Sequence, residues 1–270
     1  MFSKFKLNNI EYSDFQEYEE IGKEYYKEIQ IDIHDKFKDF IGKEGIINGT
    51  ELQESRFPTK QNFNVFLSHS HDDQNLAISL AGFFKKELNL DTFIDSCMWG
   101  YSNELLREID NNYCRCSDGK YYDYDKRNYS TSHVHMMLSI ALAKMINQCE
   151  TVFFLNSDNS ITSIADEISC KKTTSPWIYN ELALANLIQV QSINRYRDKF
   201  LKFASSSYDK PNESSSLKIE YDVDKLLKGF TSISKIDLDE CVKEWKKNKY
   251  SFQSALDYIY LSKNIIKQTK

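Results

Sequence analysis

Residues 63–73, Phe63-Asn64-Val65-Phe66-Leu67-Ser68-His69-Ser70-His71-Asp72-Asp73, decide how the chain is read. The front of this stretch is apolar and β-prone, and short enough for a strand buried on both faces. The polar run Ser-His-Ser-His ends it, and Asp72-Asp73 can open a helix. Leu76, Leu80, Phe83, Phe84 and Leu88 then recur at helical spacing. A buried strand leading directly into an amphipathic helix is the first half of a βαβ unit, which closes with a parallel strand.

Toward the C-terminus the alternation repeats. Asn89-Leu90-Asp91 turns the chain into a second short strand, Thr92-Phe93-Ile94-Asp95, and a helix is expected over 103–112. An insertion at about 113–131, polar and rich in tyrosine between Cys114 and Tyr129, reads as a loop or hairpin. Ser130 or Ser132 then caps a helix through Met137, Leu138, Ala141, Met145 and Ile146. Thr151-Val152-Phe153-Phe154-Leu155 is a third buried strand, followed by a long polar loop over 156–174. Ser175-Pro176 supplies an N-cap and a first-turn proline for the next helix. A further strand is expected at 217–221, and helix over most of 223–267.

Toward the N-terminus, Tyr18, Ile21, Tyr25, Ile29 and Ile33 share one helical face, and Gly45, Gly49 and Phe57-Pro58 break the pattern. The division is therefore a helical leader (1–60), a main α/β domain (61–222) and a helical C-terminal extension (223–270). Strands alternating with helices predict a parallel, doubly wound sheet. In such a sheet ligands sit outside the carboxyl ends of the strands. Those ends carry Ser68, His69 and Asp72, then Asp95 to Trp99, then Asn156-Ser157.

A net charge of −5 and a pI near 5.7 leave no basic field for nucleic acid or anionic lipid. No run approaches the ~18 apolar residues of a membrane span. Met1-Phe-Ser-Lys-Phe-Lys has no signal-peptide core, and the six cysteines read as reduced thiols, so the chain is expected to be cytoplasmic. Cys114-x-Cys116 and His133-x-His135 offer four zinc-type ligands at a spacing that fits no standard finger, and no metal is expected.

One residue stands out chemically. From Pro176 to Ile193, Glu181 is the only charged side chain, in one helical row with Trp177, Leu184 and Ile188. A carboxylate in an apolar row is costly unless it reaches solvent or a ligand. It is either the edge of a core-facing helix or a group held for chemistry.

Three stretches in this order, Phe66-Leu-Ser-His-Ser-His-Asp-Asp73, Phe93-Ile-Asp95 and Ser175-Pro-Trp-Ile-Tyr-Asn-Glu-Leu182, resemble the successive boxes of TIR (Toll/interleukin-1 receptor) domains. The likeness runs from about Phe63 to Tyr221. It implies a flavodoxin-like sheet and, as in many bacterial and plant members, cleavage of the nicotinamide–ribose bond of NAD, with NAD as substrate and no cofactor. The product would be ADP-ribose or a cyclic isomer, serving as a signal to an effector in antiphage defence of the Thoeris kind. By motif position Glu181 is the essential carboxylate, and Ser68, His69, Asp72, Asp95, Trp99 and Trp177 are the residues expected around the substrate. His69 and His71 either position phosphates or merely occupy a strand-end loop, and Asp95 either holds a ribose or caps the loop after it. Cys97-Met98-Trp99-Gly100-Tyr101 corresponds to the BB loop, implying homotypic TIR–TIR assembly with Trp99 as anchor or as core. Two other readings remain: a non-catalytic TIR adaptor, and more distantly an enzyme similar to nucleoside deoxyribosyltransferases.

Overall fold

The computed structural model describes residues 1–29, 37–41, 46–59, 62–99, 102–163, 171–193, 221–248 and 252–266. Its centre is a five-stranded, all-parallel sheet in the order β3-β2-β4-β1-β8. The strands are β1 (Ser3–Asn8), β2 (Val65–Ser68), β3 (Thr92–Phe93), β4 (Thr151–Asn156) and β8 (Thr231–Ile233). The three strands expected from the apolar runs at 63–68, 92–95 and 151–155 are present and adjacent. Counted from β2, the spatial order is that of a flavodoxin-like sheet, with its fourth place filled by the chain's N-terminal strand.

That placement changes the role of the terminal segments. Both are largely helical as expected, but each also contributes a strand to the sheet. β1 pairs with β4 over its whole length, from Ser3 opposite Thr151 to Asn8 opposite Asn156, and with β8 on its other side. Phe5 and Leu7 are fully buried, and Phe5 stacks on its register partner Phe153 at 5.2 Å between ring centroids. The alternation Ser-Lys-Phe-Lys-Leu-Asn carries a period-2 signal. Its lysines argue for an edge, yet Lys4 lies in an interior strand because its ammonium donates to Asn186 Oδ1 at 2.9 Å. The same ammonium lies 5.5 Å from the centroid of the Phe230 ring.

Two groups of helices cover the sheet. In the first, α1 (Glu19–Ile29), α3 (Gln74–Leu88), α9 (Lys235–Lys247) and α10 (Ala255–Ser262) pack together. The crossing of α1 on α3 is close because Gly22 and Gly82 meet there. A Cβ on Gly82 would lie 2.2 Å from the Tyr18 carbonyl oxygen, and one on Gly22 would lie 2.1 Å from that of Ile78.

The second group holds α2 (Gly49–Arg56), α5 (Ser102–Tyr113), α6 (Tyr124–Gln148), α7 (Pro176–Leu187) and α8 (Asp224–Lys228). α6 starts earlier than expected. Asp123 is its N-cap, accepting from the Lys126 N–H, rather than Ser130 or Ser132. Ser130 lies within the helix because its hydroxyl is turned inward to Asp110 at 2.6 Å. The insertion before it shrinks to a short hairpin closed by the Arg115–Tyr122 bridge.

A small antiparallel sheet of β5 (Thr162–Ser163), β6 (Lys171–Thr173) and β7 (Tyr221–Asp222) occupies the expected long loop and its surroundings. Most of the strand expected at 217–221 and the position of Ile33 lie outside the described residues. The five described cysteines are free thiols. No helix among the described residues is long and apolar enough to cross a membrane.

Candidate functional site

The carboxyl ends of β2 and β3 and the first turns of α7 converge. Ser68 is the last residue of β2, and the chain leaves it through His69 and Ser70 into a 3-10 turn at His71–Asp73 that leads into α3. Asp95 opens the short helix α4 (Asp95–Met98) just after β3. Glu181 sits in the second turn of α7, whose start is fixed by Ser175: its hydroxyl accepts from the Ile178 N–H at 3.3 Å, and Pro176 follows it.

Glu181 is only 4% exposed, so its carboxyl does not reach solvent. Ser68 and Asp95 lie beside it, and Gly100 and Tyr101 are outside the described residues. Burial first, and then the neighbouring Asp95 carboxylate, hold Glu181 well above the usual carboxylate range, while the Ser68 hydroxyl pulls the other way. Burial thus favours the neutral form of Glu181. The Ser68 hydroxyl is close enough to the Glu181 carboxyl to act on it, yet neither Ser68 Oγ nor Glu181 Oε2 makes a hydrogen bond of good geometry.

His69 is buried beside them. Burial lowers its pKa, Asp95 opposes that shift, and His71 reinforces it. Its Nε2 lies 3.3 Å from Ser96 Oγ, and its Nδ1 has no hydrogen-bond partner. Trp99 is 3% exposed, with its ring edge-on to Phe93 at 4.7 Å and to Phe57 at 5.8 Å, so it is part of the core under the site. Its indole Nε1 is also without a partner. Trp177 is half-buried and meets the His135 ring at 5.2 Å.

Four buried polar atoms without partners thus come from Ser68, His69, Trp99 and Glu181. Most buried polar atoms in folded proteins are paired, and each orphan costs about 1–3 kcal/mol. Their concentration at one end of one sheet is the strongest chemical signal in the described residues.

Asp72 is not brought to this cluster; it is exposed on the 3-10 turn, and Asp73 points inward instead. Asp73 accepts from Asn159 Nδ2 at 2.7 Å and from Ser157 Oγ at 2.5 Å, tying the end of β2 to the loop after β4. The sequence reading named Asp72, and the inward member of the pair is Asp73. Which of two adjacent acids faces inward depends on the phase of the 3-10 turn, and no periodic pattern announces that phase. Asn156 was noted only as a strand end; its amide donates to Asn8 Oδ1 at 2.7 Å, joining the ends of β4 and β1.

A cavity of about 730 Å³ lies elsewhere, between α2, α5 and α6. It holds neither Glu181 nor Asp95, and the unpartnered groups rather than the open volume mark the candidate catalytic site. Among the described residues no three His, Cys, Asp or Glu side chains group as metal ligands. Comparison with models of known families, with curated proteins and with solved structures found no match.

Proposed function

We propose that this chain cleaves the nicotinamide–ribose bond of NAD, with Glu181 as the catalytic carboxylate. The observation that carries the reading is Glu181 Oε2, buried without a partner beside Asp95 and facing Ser68 at the carboxyl end of a parallel sheet. Two acids share this place, and burial first, then the charge of Asp95, favours the protonated form of Glu181. A cationic ligand reverses that balance, and the pyridinium ring of NAD is a cation. Binding it allows Glu181 to ionise.

The chemistry follows. The C1′–N bond breaks with its electron pair leaving on nicotinamide, and the ribosyl carbon becomes oxocarbenium-like. A fixed carboxylate stabilises that developing charge. Water adding to C1′ releases a proton, and a neutral imidazole is suited to take it; His69, lowered by burial, is such a group. Addition of water gives ADP-ribose, and attack by an atom of the same nucleotide gives a cyclic isomer. Substrate entry requires the strand-end loops to part over Glu181. Slow basal turnover that rises on self-association or a trigger is therefore expected of this enzyme, in keeping with a signalling role in antiphage defence.

The second reading, a non-catalytic assembly module, draws on a different feature. From Asn128 to Ala143, four turns of α6 contain no Asp, Glu, Lys or Arg. Tyr129, Met136 and Ile140 are exposed there at 70%, 59% and 43%. The adjoining face of α7 exposes Leu187 at 77%, and its one charged residue, Glu181, is buried. In a chain that is 28% charged, an uncharged surface spanning two neighbouring helices suits homotypic contact. With Trp99 in the core, this face is a better candidate for such contact than the 97–101 loop. Release of nicotinamide from NAD separates the readings, since an adaptor releases none.

A further inference from the structure

The cavity between α2, α5 and α6 lies within the range of small-molecule sites, roughly 300–1,000 Å³, at about 730 Å³. Buried Leu52 and Ile109, with half-buried Ile47 and Met137, give it an apolar floor. Its mouth is aromatic: Tyr113, Tyr129 and His133 stand there, the last two with ring centroids 4.5 Å apart and edge to face.

Two polar groups of its wall, the Ser130 hydroxyl and the Cys114 thiol, are already satisfied. Ser130 Oγ donates to Asp110 Oδ1 at 2.6 Å, and Arg127 Nε donates to Asp110 Oδ2 at 2.9 Å. The Cys114 thiol donates to Ser130 Oγ at 3.7 Å. A ligand is therefore not needed to complete any of these hydrogen bonds, in contrast to the situation around Glu181. The charged lining residues are one acid and one base, Asp125 and Lys126, adjacent on α6. That balance offers nothing to a phosphate or a dinucleotide, which demand several converging donors or cations. An uncharged aromatic body matches the apolar floor and the aromatic mouth.

We infer that this cavity is a binding site for a neutral aromatic small molecule, separate from the Glu181 site. Its occupancy bears on α7 through α6. The same helix that walls the cavity presents His135 to Trp177 and pairs Ser139 with Asn180 at 3.4 Å. Trp177 and Asn180 belong to the two turns of α7 that carry Glu181. The binding site stands whether or not the chain cleaves NAD.

The test is a titration of the full chain with 1-aminoanthracene, an uncharged fluorophore that brightens in apolar surroundings. Saturable brightening at one site per chain is expected, undiminished by excess NAD and unchanged in Glu181→Gln. Gly49 provides the blocking variant, because a Cβ there meets only the Met137 methyl, at 3.4 Å, and a larger side chain extends into the hollow. Gly49→Leu is expected to weaken binding by about tenfold or more. Tyr129→Ser, at an exposed position, removes a mouth ring without touching the core and is expected to weaken it several-fold. Non-saturable brightening overturns the inference, as does binding that survives both variants intact. Loss of binding in Glu181→Gln overturns it as well, because the dye then reports the other site.

Discussion

Asp95 and Glu181, one following β3 and the other in α7, lie near enough that the Asp95 carboxylate adds to burial in raising the Glu181 pKa. Neither residue is near the other in sequence; the parallel sheet brings them together. The arrangement sets the site's response to pH. An acid whose folded pKa is raised binds its proton in the native state after the unfolded chain has lost it. Stability therefore falls as pH rises from the unfolded glutamate value, about 4.3, toward the folded one. Glu181→Gln removes that penalty. The variant is expected to melt higher than the wild type at neutral pH, with the difference vanishing near pH 4 and below. Thermal unfolding across pH measures it, and a Glu181→Gln protein less stable at pH 7 than at pH 4 relative to wild type contradicts the neutral-acid assignment.

Trp99 gives a second prediction. Its ring packs between Phe57 and Phe93 and is 3% exposed. Trp99→Ala is expected to cost about 3–5 kcal/mol of stability, as large-to-small core changes do, rather than to act as a surface variant. Denaturant unfolding checks this. A loss below about 1 kcal/mol, the scale of surface changes, places Trp99 outside the core.

The close crossing of α1 and α3 gives a third. Gly82→Ala sets a methyl 2.2 Å from the Tyr18 carbonyl, against backbone that cannot yield without moving a helix. A loss of about 1–3 kcal/mol or more is expected, despite the better helix propensity of alanine. A stabilised Gly82→Ala protein shows that the helices do not approach as described.

Much of the sheet was legible because β2, β3 and β4 are apolar runs of strand length bounded by turn residues. β1 was not, because Lys4 and Lys6 alternate with Phe5 and Leu7 and read as polar surface; only the tertiary contacts of Lys4 with Asn186 and the Phe230 ring make the position tolerable inside the sheet. The site divides the same way. Glu181 was legible as the one charge in an apolar helix, and Ser68, His69 and Asp95 as strand-end residues. The inward turn of Asp73 and the burial of Trp99 depend on a turn phase and a packing partner, Phe57, that lie beyond any local pattern. The burial of Glu181 was equally invisible, since exposure is decided by how loops from three elements meet.

Cleavage of NAD at the buried carboxyl of Glu181, as proposed, is tested by the nicotinamide that the purified chain releases from NAD over a wide range of protein concentration. Release is expected to rise more than linearly with concentration, and to be lost in a Glu181→Gln protein that keeps the wild-type circular dichroism spectrum. Undiminished release by folded Glu181→Gln, or none from folded wild-type chain at any concentration with or without phage lysate, contradicts it.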